Sequence, residues 1–152
     1  MPLEVRVTAR ARARLAATHA GRLARAVLRA EGVRDAAVSL SFVGPRRIRA
    51  LNRAFLGHDR VTDVLAFQLG GGPAGRRRRG GRAPVVADIY ICPRAAAANA
   101  RAFGATPREE LRRLVVHGVL HALGYDHPDG AGRTRGAMWR RQERYLERFA
   151  RP

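Results

Sequence analysis

The chain has 152 residues, 46% of them hydrophobic, enough to bury one sizeable core and too few for two full-sized domains to be expected. No window approaches the roughly 18 to 20 uninterrupted apolar residues of a membrane span, Met1-Pro2-Leu3-Glu4-Val5-Arg6 lacks the apolar stretch of a secretory signal, and the lone Cys92 has no internal disulfide partner, so a cytoplasmic protein held by its core or by metal is expected. Thirty basic residues against 12 acidic ones leave a formal charge of +18, which attracts polyanions, nucleic acid foremost, and loses that attraction as salt rises; every basic residue is arginine, a bias that coding composition also produces.

Leu3 to Val7 alternates apolar and polar residues, the period of a short half-buried strand, and Thr8 is placed to cap a helix running from Ala9 to about Glu31, stopped by Gly32. Leu15, Leu23, Val27 and Leu28 supply its apolar face. Ala37 to Val43 alternates again, and Gly44-Pro45 opens a shorter helix carrying Ile48, Leu51 and Phe55. Thr62 to Leu69 and Val85 to Cys92 read as a strand hairpin. The Gly/Arg-rich segment between them, 70–84, can bury almost nothing and is expected to be a mobile loop, with Arg76 to Arg79 either gripping phosphate or simply solvated.

Pro93 to about Phe103 is an Ala-rich helix ending at Gly104. Thr106-Pro107-Arg108-Glu109 is a capping-box start for a helix reaching Leu123, where Gly124 ends it. A last helix from about Thr134 to Ala150 carries Met138, Trp139, Tyr145, Leu146 and Phe149. This order predicts a single α+β domain over 1–152, a small mixed sheet packed with about five helices.

Three of the five histidines fall within eleven residues as H-x-x-x-H-x-x-G-x-x-H, namely His117, His121 and His127. Positions four apart on a helix lie about 6 Å apart along the axis on one face, so His117 and His121 can aim at one point. Gly124 then lets the chain reverse and return His127 as a third ligand. Three neutral ligands with an open fourth position describe a catalytic, zincin-like zinc site, in which bound water has its pKa drawn toward about 7. Nickel, copper or iron also accept three imidazoles. Metzincin proteases share this spacing but need a glutamate directly after the first histidine, where this chain has Gly118. A phosphodiester instead asks for metal and arginine to stabilise an anionic transition state.

The eleven residues H-G-V-L-H-A-L-G-Y-D-H from His117 to His127 resemble the signature of the YbeY family of bacterial rRNA-maturation endoribonucleases. Leu51 to Phe67, L-N-R-A-F-L-G-H-D-R-V-T-D-V-L-A-F, and Ala87-Asp88-Ile89-Tyr90-Ile91 are similar to two further family segments. The resemblance implies one Zn2+ held by His117, His121 and His127 and cleavage of single-stranded RNA in 16S rRNA 3′-end maturation and ribosome quality control. It also implies the small ribosomal subunit and one of its proteins as partners.

Four positions depart from the family. Leu56 stands where the family carries a phosphate-engaging arginine, and Val61, Ala66 and Gln68 replace a proline, a serine and a proline. Arg53 or Arg60 is a candidate to supply the missing charge to the substrate. Asp126 either orients a ligand imidazole or favours the turn, and Asp63 and Asp88 are expected to fix backbone. His58 is expected on a surface loop and His19 as a solvated or satisfied side chain. Trp139, Tyr145 and Phe149 are expected in the core, although an exposed aromatic beside arginines can stack on bases. Two other functions fit less of the sequence: a ribosome-assembly factor with an intact zinc site and weak nuclease activity, and a metalloprotease.

Overall fold

The computed structural model describes residues 2–70, 77–78, 81–82, 84–125 and 136–149, with the side chains of 77–78 and 81–82 outside that description. Four strands make the main sheet in the order β1 (Leu3–Ala9), β2 (Ala36–Phe42), β6 (Val85–Ile91), β3 (Val64–Gly70). β1 and β2 run parallel, as do β2 and β6, while β3 closes the edge antiparallel to β6, with Val64 opposite Ile91. Sheet and helices thus form one small α+β domain with five helices among the described residues, as the sequence predicts.

The strands read as they do because one face is buried. Val38, Leu40 and Phe42 of β2 and Ala87, Ile89 and Ile91 of β6 are all 3% exposed or less, and they alternate with half-exposed residues as period two requires. Against this face pack α1 (Ala17–Ala30) and α4 (Pro107–Ala122). α4 is buried nearly all round, through Leu111, Leu114, Val115, Val116, Val119 and Leu120, because α1, α3 (Pro93–Phe103), α5 (Ala137–Arg148) and the sheet all contact it. On the other face α2 (Pro45–Leu56) seals a second cluster of Val43, Ile48, Leu51, Leu65 and Cys92.

The capping box holds as predicted: the Glu109 N–H donates to Thr106 Oγ1 and the Thr106 N–H to Glu109 Oε1, both at 3.1 Å. Gly104 and Gly124 end α3 and follow α4 with φ of +69° and +98°, the left-handed region where glycine carries no Cβ penalty.

Three expectations are corrected. Thr8 caps no helix: β1 continues through Ala9, opposite Phe42, Arg10 N–H donates to Phe42 O at 2.8 Å, and α1 begins only at Ala17 without a side-chain cap. A ladder with the fully alternating β2 satisfies more backbone groups than one cap. Phe55 is 67% exposed rather than part of the α2 core face, and its ring lies 5.3 Å from that of Phe67 on β3. Trp139 is half-exposed, while Met138 and Tyr145 take the core positions of α5. Within 70–84, Arg77 and Arg78 (β4) pair antiparallel with Arg82 and Gly81 (β5); 71–76, 79–80 and 83 lie outside the described residues.

Candidate metal centre and its cleft

His117 and His121 project from the last turns of α4 with ring centroids 4.6 Å apart, edge to face. Both are half-buried. Asp126 and His127, the expected turn residue and third ligand, lie outside the described residues; the chain enters that segment from Tyr125, whose N–H donates to Leu120 O at 3.1 Å.

The helix can bring the pair to the sheet because of Gly118. A Cβ there would meet Ile89 Cγ2 at 2.7 Å and Val64 Cγ2 at 3.6 Å. The first distance is closer than carbon atoms pack, so any side chain at this point would force Ile89 of β6 to shift. The same contact leaves no room for the glutamate of a metzincin, so the missing general base is a packing requirement of this fold.

A residue that the sequence reading passed over sets the chemistry of His117. Gln142 of α5, 1% exposed, places Oε1 2.8 Å from His117 Nδ1. Its Nε2 donates to Glu143 Oε2 at 3.3 Å, which fixes the amide with its oxygen toward the imidazole. An amide oxygen only accepts, so Nδ1 carries a proton, and in the neutral ring this leaves the lone pair on Nε2, the form a metal ligand needs. Glu143 is held in turn by Arg113, through Nε at 3.2 Å and Nη2 at 3.1 Å, and Arg113 also reaches Glu110 Oε2 at 3.3 Å. Burial pushes the Glu110 carboxyl above its ordinary pKa despite Arg113 beside it.

A second network supports Tyr125 at the end of the histidine turn. Glu31 is 7% exposed and accepts from Tyr145 Oη and from Arg141 Nη1, the latter at 2.9 Å; Arg141 also lies 5.0 Å over the Tyr125 ring. Burial alone would raise the Glu31 pKa, but hydrogen bonds from Tyr145, Tyr125 and Arg141 outweigh it and hold the carboxylate below its ordinary value. Gln68, on the edge strand, donates to Ala122 O at 3.2 Å, satisfying one of the open carbonyls of the last turn of α4.

His117 lies at one side of a cleft of about 1030 Å³ bounded by the Arg60–Val64 segment, the C-terminal part of α3, the start of α4 and the start of α5. Arg60 lines this cleft and Arg53 does not; both are exposed. Asp63 also lines it and accepts from Asn99 Nδ2 at 2.9 Å, while its carbonyl accepts from the Cys92 N–H at 2.8 Å. The carboxylate thus bonds the side chains of Asn99 and, at 3.4 Å, Thr62, and it is the main chain of Asp63 that ties the loop to Cys92. Asp88 lies mid-strand on β6, opposite Ser39 and Phe67, rather than at a strand end. His58 is exposed on its loop, and His19 is a satisfied histidine, 6% exposed and accepting from Arg112 Nε at 3.3 Å. Leu56 is 51% exposed at the end of α2.

Comparison with known proteins decides the kinship. Residues 7–150 match the family described as Endoribonuclease YbeY. The chain belongs to the YbeY family. It is 43% identical over 126 residues to a relative of that name from Anaeromyxobacter sp. (strain Fw109-5), covering 83% of this chain and 62% of the relative. A relative of the same name from Chlorobaculum tepidum is 36% identical over 125 residues, covering 82% of both chains. A solution structure from Thermotoga maritima superposes with a TM-score of 0.61 at 29% identity, over 95% of this YbeY chain and 87% of that one. No helix among the described residues is long and apolar enough to cross a membrane.

Proposed function

We propose that this YbeY protein is a zinc-dependent endoribonuclease that cleaves single-stranded RNA in the 3′-end maturation of 16S rRNA and in ribosome quality control. It would act in the cytoplasm with the small ribosomal subunit and one of its proteins. The observation that carries the reading is the His117–His121 pair at 4.6 Å, with Gln142 bonded to His117 Nδ1 beside a cleft of about 1030 Å³. Such donors suit zinc, and His117, His121 and His127 are the residues that would hold it. Bound there, zinc supplies Lewis-acid stabilisation of charge on a phosphoryl oxygen.

The chain's own groups do the rest. Arg60, which lines the cleft, would engage a phosphate in the role the family gives to an arginine at position 56, with Arg53 on α2 as the second candidate. The surplus of arginine draws the RNA in. The test is to incubate metal-analysed protein with a single-stranded RNA oligomer, with and without chelator, beside His117→Ala. Cleavage abolished by both perturbations is expected, and cleavage surviving both would overturn the reading. Arg60→Ala is expected to lower cleavage more than Arg53→Ala; unchanged rates in both would remove the substitute-arginine role. The exposed Leu56 favours one second reading, an assembly factor with weak nuclease activity, which a chelator-insensitive effect on ribosome assembly without oligomer cleavage would support.

A further inference from the structure

The cleft beside His117 carries two aromatic side chains that the core does not use. Phe103, at the end of α3, is 81% exposed, the most exposed large hydrophobic residue among those described. Trp139, the sole tryptophan, stands half-exposed at the start of α5 with the Arg113 guanidinium 5.8 Å from its ring centroid. Both line the cleft. Aromatic surface left partly in water along a polar cleft is available to stack on a ligand.

The charges select the occupant. Two arginines, Arg60 and Arg113, face three carboxylates, Asp63, Glu109 and Glu110, along the cleft, and Arg113 is already engaged by Glu143 and Glu110. A phosphate gains little deep inside such a lining and is left to Arg60, which is exposed. A planar neutral group meets no such penalty and finds two aromatic side chains together with the hydrogen-bonded Asn99–Asp63 pair.

We propose that this cleft is a nucleobase subsite: a base of single-stranded RNA enters it and stacks on Trp139 and Phe103 while its phosphates remain outside on arginine. The inference rests on the RNA-cleavage reading and names the part of the substrate that the cleft takes. Duplex RNA is excluded, since its bases are stacked on one another.

Trp139 reports directly on its own occupancy. The full chain is titrated in chelator, so that binding is read without cleavage, with a single-stranded RNA oligomer, the same oligomer made abasic, and a duplex. Saturable quenching of the tryptophan fluorescence by the base-bearing strand alone is expected. Phe103→Ala, at a site too exposed to affect folding, should weaken binding about 5- to 150-fold, and Trp139→Ala should do the same when binding is followed by anisotropy of a labelled strand. Equal affinity for the abasic and base-bearing strands, or binding without quenching, would overturn the subsite. Quenching and base dependence without cleavage on metal addition would leave the subsite standing and defeat the nuclease reading instead.

Discussion

Gln142→Leu tests the most specific feature of the proposed metal centre. Leucine fills nearly the same volume but cannot accept the His117 Nδ1–H bond, which is 2.8 Å long in the native protein. The half-buried N–H then loses this acceptor, costing about 1–3 kcal/mol of stability. The proton is also released to either ring nitrogen, so a share of molecules carries it on the nitrogen that the metal needs. Loss of such a supporting bond typically weakens metal binding about 10- to 100-fold, or roughly 1.4–2.7 kcal/mol. Zinc affinity measured by competition with a chromophoric chelator should fall in that range, and imidazole ¹⁵N shifts of the metal-free protein should show His117 leaving the Nδ1–H form. Gln142→Glu retains an acceptor and should bind zinc within about threefold of the native chain. If the leucine variant, folded by circular dichroism, also binds within threefold, Gln142 does not position His117.

Three further outcomes follow from the packing and the charges. Gly118→Ala gains about 1 kcal/mol of helix propensity but forces Ile89 Cγ2 away from a 2.7 Å contact at about 1–3 kcal/mol; thermal melts should show a net loss that Ile89→Ala reduces in the double variant, and simple additivity would disprove the clash. Glu31→Gln removes a buried carboxylate whose folded pKa is depressed; chemical denaturation should show a loss of about 1.5–3 kcal/mol at pH 7. Because such a group stabilises the fold above its ordinary pKa and ceases to do so as pH falls through the depressed value, the variant should also lose stability less steeply below about pH 4.5. Thr106→Ala should cost about 1 kcal/mol, read by urea denaturation, and no change would mean that the capping box adds nothing to α4.

What was legible in the sequence was local. The alternation in β2 and β6, Pro107 and the Thr106–Glu109 box, and the four-residue spacing of His117 and His121 each express a repeat or a cap that a few neighbouring residues define, and each takes its predicted form. The Ala/Arg-rich run before Ala17 is misread because its helix propensity is genuine, while the pairing that extends β1 comes from a strand some thirty residues away. Gln142 lies 25 residues beyond His117, so no local pattern joins them. One signal was available: Met138, Gln142, Tyr145 and Phe149 stand four, three and four residues apart, which puts the glutamine on the buried stripe of α5 and Trp139 beside it. A polar residue on a buried stripe needs a partner, and here the partner is His117.

The same logic bears on the missing arginine. Asn52, 2% exposed, donates from Nδ2 to Arg60 O at 3.1 Å, and its own carbonyl accepts from the His58 N–H at 3.3 Å. Gly57, at φ +73°, makes the reversal that these bonds require, and Arg49 pins Asp59 through two hydrogen bonds of 2.8 and 3.2 Å. The loop after α2 is therefore fixed at its backbone, and the direction in which Arg60 leaves it is set by Asn52 rather than by position 56. A side chain exchanged at 56 leaves that backbone intact, because Leu56 points into solvent and takes part in none of these bonds. In the proposed reading Arg60, four residues past the end of α2 and on the cleft, is the better candidate for a phosphate than Arg53, which lies in the last turn of α2 and off the cleft lining.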